Sequence, residues 1–385
     1  MSRPNRALEY SFFIIVGVLA LLAIARVFSD WVWEDARVYL RAGARFVEGT
    51  AMYRDSDGTM PFKYAPPIAL LFAPYSLLPL AAGCLAWNVT SVLVFASAGR
   101  RWLEWLGIQR PAELWLATLA LATSFHYELH FGQSDLLLLG LATSSFAAAI
   151  SARPIRSGAF FALMVLVKPP TLVMLVPLAL FGSRRHLIAL SGLATLVALT
   201  SGVALRYGAA GALEQFAQWR NVLATTSPPW VLGHDTQSLV AVTIELLGLP
   251  APKTMGETLV PQVIATAVVA AALFRLRRSR FEFVSGCLLA SALLSPLAWR
   301  ANFVLGWPAL LSVVARRGVA ARFLVGVALV GQIVFIDGVL SIATNRAVLM
   351  WRPFAWFAVA VLAVLVSPNG PVTPATVRPR APAWP

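Results

Sequence analysis

The chain holds 385 residues, 59% of them apolar and only 12% charged, against roughly 25% charged in a soluble domain. Two soluble domains of this length are thereby excluded, and the continuous rather than alternating apolar runs exclude a transmembrane β-barrel. The formal charge of +14 comes from 28 Arg and three Lys against 17 acids, and 18 of the Arg stand in short clusters between apolar runs. That is the pattern of cytoplasmic loops, not of a nucleic-acid-binding domain.

What remains is an all-α, polytopic transmembrane helical bundle. If every basic cluster is cytoplasmic, each interval between clusters contains an even number of spans. In chain order, 11–28 is the first span, read as an uncleaved signal anchor because no small-residue cleavage signal follows. A long outer loop, 29–82, precedes span 83–99. Its own apolar stretch, 64–80, carries Pro66, Pro67, Pro74 and Pro79 and is predicted to lie against or re-enter the membrane rather than cross it. Spans 113–130 and 135–151 are joined outside by "FGQSD". The run 158–182 is broken by "KPP" into two half-length helices that meet near Lys168 and return the chain to the side it left. Span 187–206, an outer loop 207–257 and span 258–275 follow. Spans 282–295 and 303–315 turn at "SPLAWRAN", and 322–338 and 348–366 complete about twelve spans with both termini cytoplasmic. One domain, 1–366, thus precedes a Pro-rich, disordered tail, 367–385. No internal repeat is visible. Cys84 and Cys287 lie inside apolar runs with neither disulfide nor metal spacing.

The polar interruptions all fall at the outer face. Ionisable groups at membrane depth are functional candidates by default. Asp30, Glu34 and Asp35 stand just beyond the first span, followed by Tyr39, "GTAMY" and, in "FKYAPP", Tyr64. Lys168 is the one lysine inside an apolar run, at a helix break. Arg300 lies in "SPLAWRAN", where its planar fork suits two phosphate oxygens. "HYELH" puts His126 and His130 one helical turn apart, but the glutamate is misplaced for a zinc H-E-x-x-H motif, and no metal is expected. "HDTQS" offers His234, Asp235 and Gln237 as a polar wall, with Thr236 or Ser238 as a helix cap. No Walker motif, G-x-G-x-x-G or nucleophile elbow is present, so a nucleotide-driven pump is unsupported.

Taken in order, "EDARVY", "GTAMY", "FKYAPP", "HFGQSDLLLLGL", "LVKPPTLVMLVPL", "TQSL" and "SPLAWRANFVL" resemble the polyprenol-phosphate-mannose-dependent mannosyltransferases of glycosyltransferase family 87, which have the GT-C fold. The ordered set, from about residue 30 to 310, carries the resemblance; no single piece does. It implies a lipid-linked sugar donor, an extracytoplasmic active site in the plasma membrane, and a first-loop aspartate as catalytic base, to which Asp35 corresponds. Family members often carry histidine after the Ser-Pro-x-x-Trp segment; here those places hold Ala301 and Asn302, with Arg300 just before.

The chemistry is consistent with the residues. A polyprenyl phosphate is already a good leaving group, so one carboxylate suffices to take the acceptor proton, and no general acid, metal or cofactor is required. Cations must stabilise the departing charge, and Lys168 and Arg300 are the candidates for the donor phosphate. Glu34, Tyr39, Tyr64, Gln133, His234, Asp235, Gln237, Trp299 and Asn302 are the candidates for the substrate walls. The expected partners are a polyprenyl-phosphate sugar, a lipid or glycan acceptor and membrane lipid, with no nucleic acid. The competing class is a transporter or flippase, which would also keep buried charges and broken helices.

Overall fold

The computed structural model describes residues 6–28, 33–58, 60–316, 318–335 and 339–367; among them the protein is helical, without a β-strand. Asp30 and the tail 368–385 lie outside the described residues. Four helical stretches are long and apolar enough to cross a membrane alone: Arg6–Phe28, Leu80–Trp105, Arg185–Trp230 and Met255–Leu276. Two bent pairs raise the number to six, Ala122–Phe131 with Asp135–Ile150 (107°) and Ile342–Leu349 with Pro353–Val366 (42°). The chain is therefore a membrane protein, but its apolar runs are not twelve full-length helices. Breaks cut them into shorter pieces such as Pro154–Val167, Pro169–Phe181 and Val319–Val334.

The α-helices in chain order are α1 (Arg6–Ala25), α2 (Glu34–Glu48), α3 (Ala69–Ser76), α4 (Leu80–Trp105), α5 (Pro111–Leu119), α6 (Ala122–Phe131), α7 (Asp135–Ile150), α8 (Pro154–Val167), α9 (Leu175–Phe181), α10 (Arg185–Thr226), α11 (Leu239–Leu246), α12 (Leu259–Leu276), α13 (Arg280–Leu293), α14 (Trp307–Arg316), α15 (Val319–Val334), α16 (Ile342–Leu349) and α17 (Pro353–Val366). The 64–80 stretch forms no helix long enough to cross a membrane alone: its prolines leave a 3-10 turn, Pro66–Ile68, and the eight-residue α3, about 12 Å long at 1.5 Å per residue. The break at "KPP" is present as expected. Lys168 adopts the extended conformation (φ −141°, ψ 104°) that a following proline enforces, and a 3-10 segment, Pro169–Met174, leads into α9. The helix expected over 187–206 continues instead to Thr226, through a kink at Gly208.

That extension carries the outer layer. Beyond the kink, α10 holds the first loop by its backbone: Gln215 accepts the Met52 amide at 2.9 Å and the Trp219 indole donates to the Lys63 carbonyl at 2.9 Å. Just before it, Arg206 donates to the Phe46 carbonyl at 2.9 Å and Tyr207 to the Thr50 carbonyl at 2.9 Å, satisfying the orphan carbonyls at the end of α2. Within the loop, Arg45 grips Asp57 through both oxygens at 2.6 and 2.8 Å. Burial favours a charged Asp57 less, but these contacts with Arg45 and the nearby Arg41 win and hold its carboxyl below the usual range.

The two ends of the bundle differ. At one end, Trp105 stacks on Phe281 (5.2 Å), Phe146 meets Phe181 (6.3 Å) and Phe181 meets Phe283 (5.8 Å). Arg100 covers the Phe13 ring, Arg316 pairs with Glu282 at 2.9 Å, and Ser183 donates to the Ala149 carbonyl at 2.9 Å. The last contact brings the end of α9 back beside the start of α8, so Arg153, Arg156 and Arg184 share that end, as the hairpin reading requires. The polar interruptions gather at the other end.

Helices α2 and α3 touch backbone to backbone at Gly43, where an added Cβ would lie 2.7 Å from the Phe72 carbonyl carbon. Gly43→Ala is expected to lower stability by about 1–3 kcal/mol, because backbone must move. Gly326→Ala, with nothing within 4 Å of the new methyl, is expected to leave it unchanged or slightly raised. Thermal unfolding of the purified protein in detergent checks the pair; equal midpoints would refute the close packing.

Candidate active site

The first half of the site is built where α2 meets the turn between α6 and α7. Trp33, in the left-handed conformation at the head of α2 (φ 62°), donates its amide to the His130 carbonyl at 2.7 Å. Gly132 ends α6 with φ 69°, and a Cβ there would lie 2.6 Å from that of Ala36. Only glycine meets both demands, and the Trp87 indole fixes its carbonyl at 2.8 Å. This contact delivers Gln133 to Asp35, whose Oδ2 accepts a hydrogen bond from the Gln133 side-chain amide. The hydroxyls of Tyr39 and Tyr64 share a hydrogen bond of 2.8 Å; Tyr64 also meets Ser134 at 3.0 Å, and Tyr39 reaches the Gln133 oxygen at a longer 3.5 Å. Asp35, Tyr39, Tyr64 and Gln133 therefore form one assembly. Glu34 is exposed and stands beside it.

The second half centres on Asp135, which sequence reasoning quoted in "FGQSD" but did not single out. Its carboxylate is fully buried at the start of α7 and accepts Lys168 Nζ at 2.8 and 2.7 Å and Asn302 Nδ2 at 2.7 Å. The neighbouring Leu136 amide donates to buried Glu128 at 2.9 Å. Lys168 is thus not the lone cation expected: its partner lies 33 residues earlier in the chain. Asn302, expected in the substrate wall, is 4% exposed and fully committed, since its oxygen also accepts the Trp299 amide at 2.6 Å. Trp299 itself is half-buried, edge-on to Phe131 at 6.3 Å.

Arg300 completes the other side. Its guanidinium lies 3.7 Å from the centre of the Tyr127 ring and reaches Asp235 Oδ1 at 3.4 Å, while His234 meets the other Asp235 oxygen at 3.1 Å. Nη1 of Arg300 is buried without a hydrogen-bond partner. Among the described residues Arg300 makes no ion pair with Asp35; it stands two residues before Asn302, whose side chain shares Asp135 with Lys168. Gln237, also expected in the wall, is a brace. It is fully buried, donates to the His234 and Leu349 carbonyls at 2.9 Å each, and its amide nitrogen donates to Ala298 at 2.6 Å. Ser238 caps α11 as predicted, accepting the Ala241 amide at 3.0 Å. Arg352, missed by sequence reasoning, holds this loop from behind: fully buried, it donates to the Leu232, Gly233 and Thr236 carbonyls and pairs with Glu245 at 2.6 Å.

Asp35 is the carboxylate left open to chemistry. Burial raises its pKa to about 7; the field of Lys168 opposes this, Glu34 adds to it, Lys63 opposes it and Asp135 adds to it. A base that titrates near neutral pH suits proton abstraction. Lys63, the residue before Tyr64, was also missed. It is half-buried, its ammonium reaches only the Thr226 carbonyl at 3.4 Å, and burial lowers its pKa against the pull of Asp35. The lysine in "FKYAPP" was the available signal.

Removing the Asp135 charge leaves Lys168 buried without a carboxylate. Asp135→Asn is expected to cost about 3–5 kcal/mol of stability, and the double variant with Lys168→Met to recover much of it. Unfolding midpoints of the wild type, both single variants and the double variant read the coupling; additive losses would refute the pair.

A family model described as glycosyltransferase family 87 matches residues 62–299. No curated protein and no solved structure matches the chain. The matched stretch contains Tyr64, Gln133, Asp135, Lys168, Asp235 and Trp299, and Asp35 lies upstream of it. Because the match covers more than half of the chain, and apolar helices of membrane-crossing length surround the site, the protein belongs to glycosyltransferase family 87 as a membrane glycosyltransferase.

Proposed function

We propose that the protein transfers a sugar, mannose, from a polyprenyl-phosphate donor to a lipid or glycan acceptor on the extracytoplasmic face of the plasma membrane. The bundle is then of GT-C type with about twelve crossings, several made by broken helices, and both termini are cytoplasmic. The arginine-rich end is the cytoplasmic one by the positive-inside rule, which puts Asp35 outside. The observation that carries the reading is Asp35 itself. It is a half-buried carboxylate with a single neutral donor, Gln133, and a pKa near neutrality, in reach of the fields of two lysines.

The reaction follows from these groups. The acceptor oxygen attacks C1 of the sugar and its proton passes to Asp35. The C1–O bond to phosphate breaks, and its electron pair leaves with the polyprenyl phosphate, inverting the anomeric centre. Arg300 stabilises that charge; its unpartnered Nη1 and its long contact with Asp235 leave capacity for phosphate oxygens. Lys168 contributes field while held by Asp135, and Gln133 keeps Asp35 aimed. His234, Asp235, Tyr39, Tyr64 and Trp299 border the sugar and acceptor. The transporter alternative rested on broken helices and buried charges, and the family match takes its place.

Transfer of radiolabelled mannose from polyprenyl phosphate mannose, by the purified protein with a membrane-lipid extract as acceptor, is the direct test. Asp35→Asn is expected to reduce turnover by about 10²–10⁴-fold with donor binding retained. The rate is expected to fall with decreasing pH below about 7, because the base must be deprotonated and its folded pKa sits there. Near-normal turnover in Asp35→Asn would place the base elsewhere.

Arg300→Ala is expected to weaken donor binding by about 1.5–3 kcal/mol, with Arg300→Lys recovering part, since a point charge lacks the fork. Donor titrations of the three proteins check this; unchanged donor affinity in Arg300→Ala would remove Arg300 from the phosphate site.

A further inference from the structure

The hairpin of α8 and α9 does more than return the chain. It brings Arg153 and Arg156, at the start of α8, beside Arg184, at the head of α10, and the three line an open cleft of about 640 Å³. No carboxylate lines it, and none of the three arginines pairs with one among the described residues. Its lining is otherwise largely apolar, with Ile155, Leu187 and Leu190, of which Ile155 and Leu190 are 72% and 60% exposed. The frame is fixed. Ser191 donates to the Pro154 carbonyl at 3.1 Å, Ser183 holds Ala149 at 2.9 Å, and α8 meets α10 closely at Gly158 and Gly192. The cleft lies at the end of the bundle opposite Asp35.

We infer that this cleft binds an anionic phospholipid, the three guanidiniums taking the phosphate and the apolar wall taking the first methylenes of an acyl chain. Unpaired guanidinium forks match phosphate oxygens. Basic pockets between membrane helices on the cytoplasmic side recognise acidic headgroups. An arginine cluster serving topology alone needs neither a shared cleft nor an exposed apolar wall beside it. The inference rests on the membrane character of the bundle and not on the identity of the sugar donor.

The test uses the full chain in neutral detergent, titrated with dioctanoyl-phosphatidylglycerol, dioctanoyl-phosphatidylcholine and glycerol 3-phosphate and read by native mass spectrometry. Phosphatidylglycerol is expected to bind at least tenfold more tightly than the other two. Arg156→Gln with Arg184→Gln is expected to weaken it at least tenfold, and Arg275→Gln with Arg278→Gln, which removes equal charge from another basic loop, to leave it unchanged. Ile155→Glu, at an exposed wall position, is expected to weaken it as well and serves if the double variant does not fold. Equal weakening by both double variants would reduce the effect to diffuse charge attraction. Glycerol phosphate binding as tightly as the lipid would make it a site for soluble phosphate. Equal binding of phosphatidylcholine would remove the headgroup role; any of these overturns the inference.

Discussion

A carboxylate with no exposed surface, at the start of a helix inside a membrane bundle, has to be neutralised where it stands. Asp135 is that carboxylate, and it organises the site. The ammonium it requires comes from Lys168, at the break between α8 and the 3-10 segment, and a second donor comes from Asn302, in the turn after α13. Three segments distant in sequence are thereby pinned to one point. Asn302 passes the constraint on: its oxygen holds the Trp299 amide, which sets the start of the 3-10 turn on which Arg300 sits. The "KPP" break leaves Lys168 at the end of α8, where its ammonium meets Asp135.

Asp35 and Asp135 lie on adjoining elements yet are prepared for opposite tasks. Asp135 has a cation, a side-chain amide and a helix N-terminus as direct partners of its carboxylate. Asp35 has one neutral amide in contact, and its cations act from farther off, so burial prevails and its pKa rises to about 7. What separates the two carboxylates is the supply of direct donors. The turn "FGQSD" makes the allotment: Gln133 faces Asp35, Ser134 faces Tyr64, and Asp135 faces Lys168.

The polar interruptions were legible one by one, because an apolar chain makes each conspicuous, and four of them, "FGQSD", "KPP", "HDTQS" and "SPLAWRAN", do meet at one end. Their pairings were not legible. Lys168 looked solitary because helix spacing relates near neighbours, whereas its partner is 33 residues away across two helices and the turn between them. Gln237 and Asn302 read as substrate contacts because a polar residue in a loop carries no mark of whether a backbone group has claimed it. Arg352 lay unremarked inside the expected span 348–366. The extension of α10 to Thr226 was hidden by its mixed composition, "AAGALEQFAQWR", which falls below membrane hydropathy although its helix packs on the first loop. Charge parity reads about twelve spans, whereas four helices among the described residues, or six with the bent pairs, are long and apolar enough to cross; prolines and Lys168 break other apolar runs into shorter pieces.

Cations are held differently along the bundle. At the basic end, Arg316 pairs with Glu282, while Arg153, Arg156 and Arg184 pair with no carboxylate among the described residues. At the site end, Lys168 is paired with Asp135, Arg300 with Asp235 and Arg352 with Glu245. On the proposed reaction a phosphate must enter this already neutralised end, and the pairs are unequal in their resistance to it. Asp135 is sealed and grips Lys168 through both oxygens. The Asp235 side chain is 34% exposed, makes one contact of 3.4 Å with Arg300, and has His234 at 3.1 Å from its other oxygen. Water can solvate Asp235 as it lets go, and cannot reach Asp135. Of these paired cations Arg300 is therefore the one that an arriving phosphate can claim at least cost, while Lys168 stays where the fold needs it.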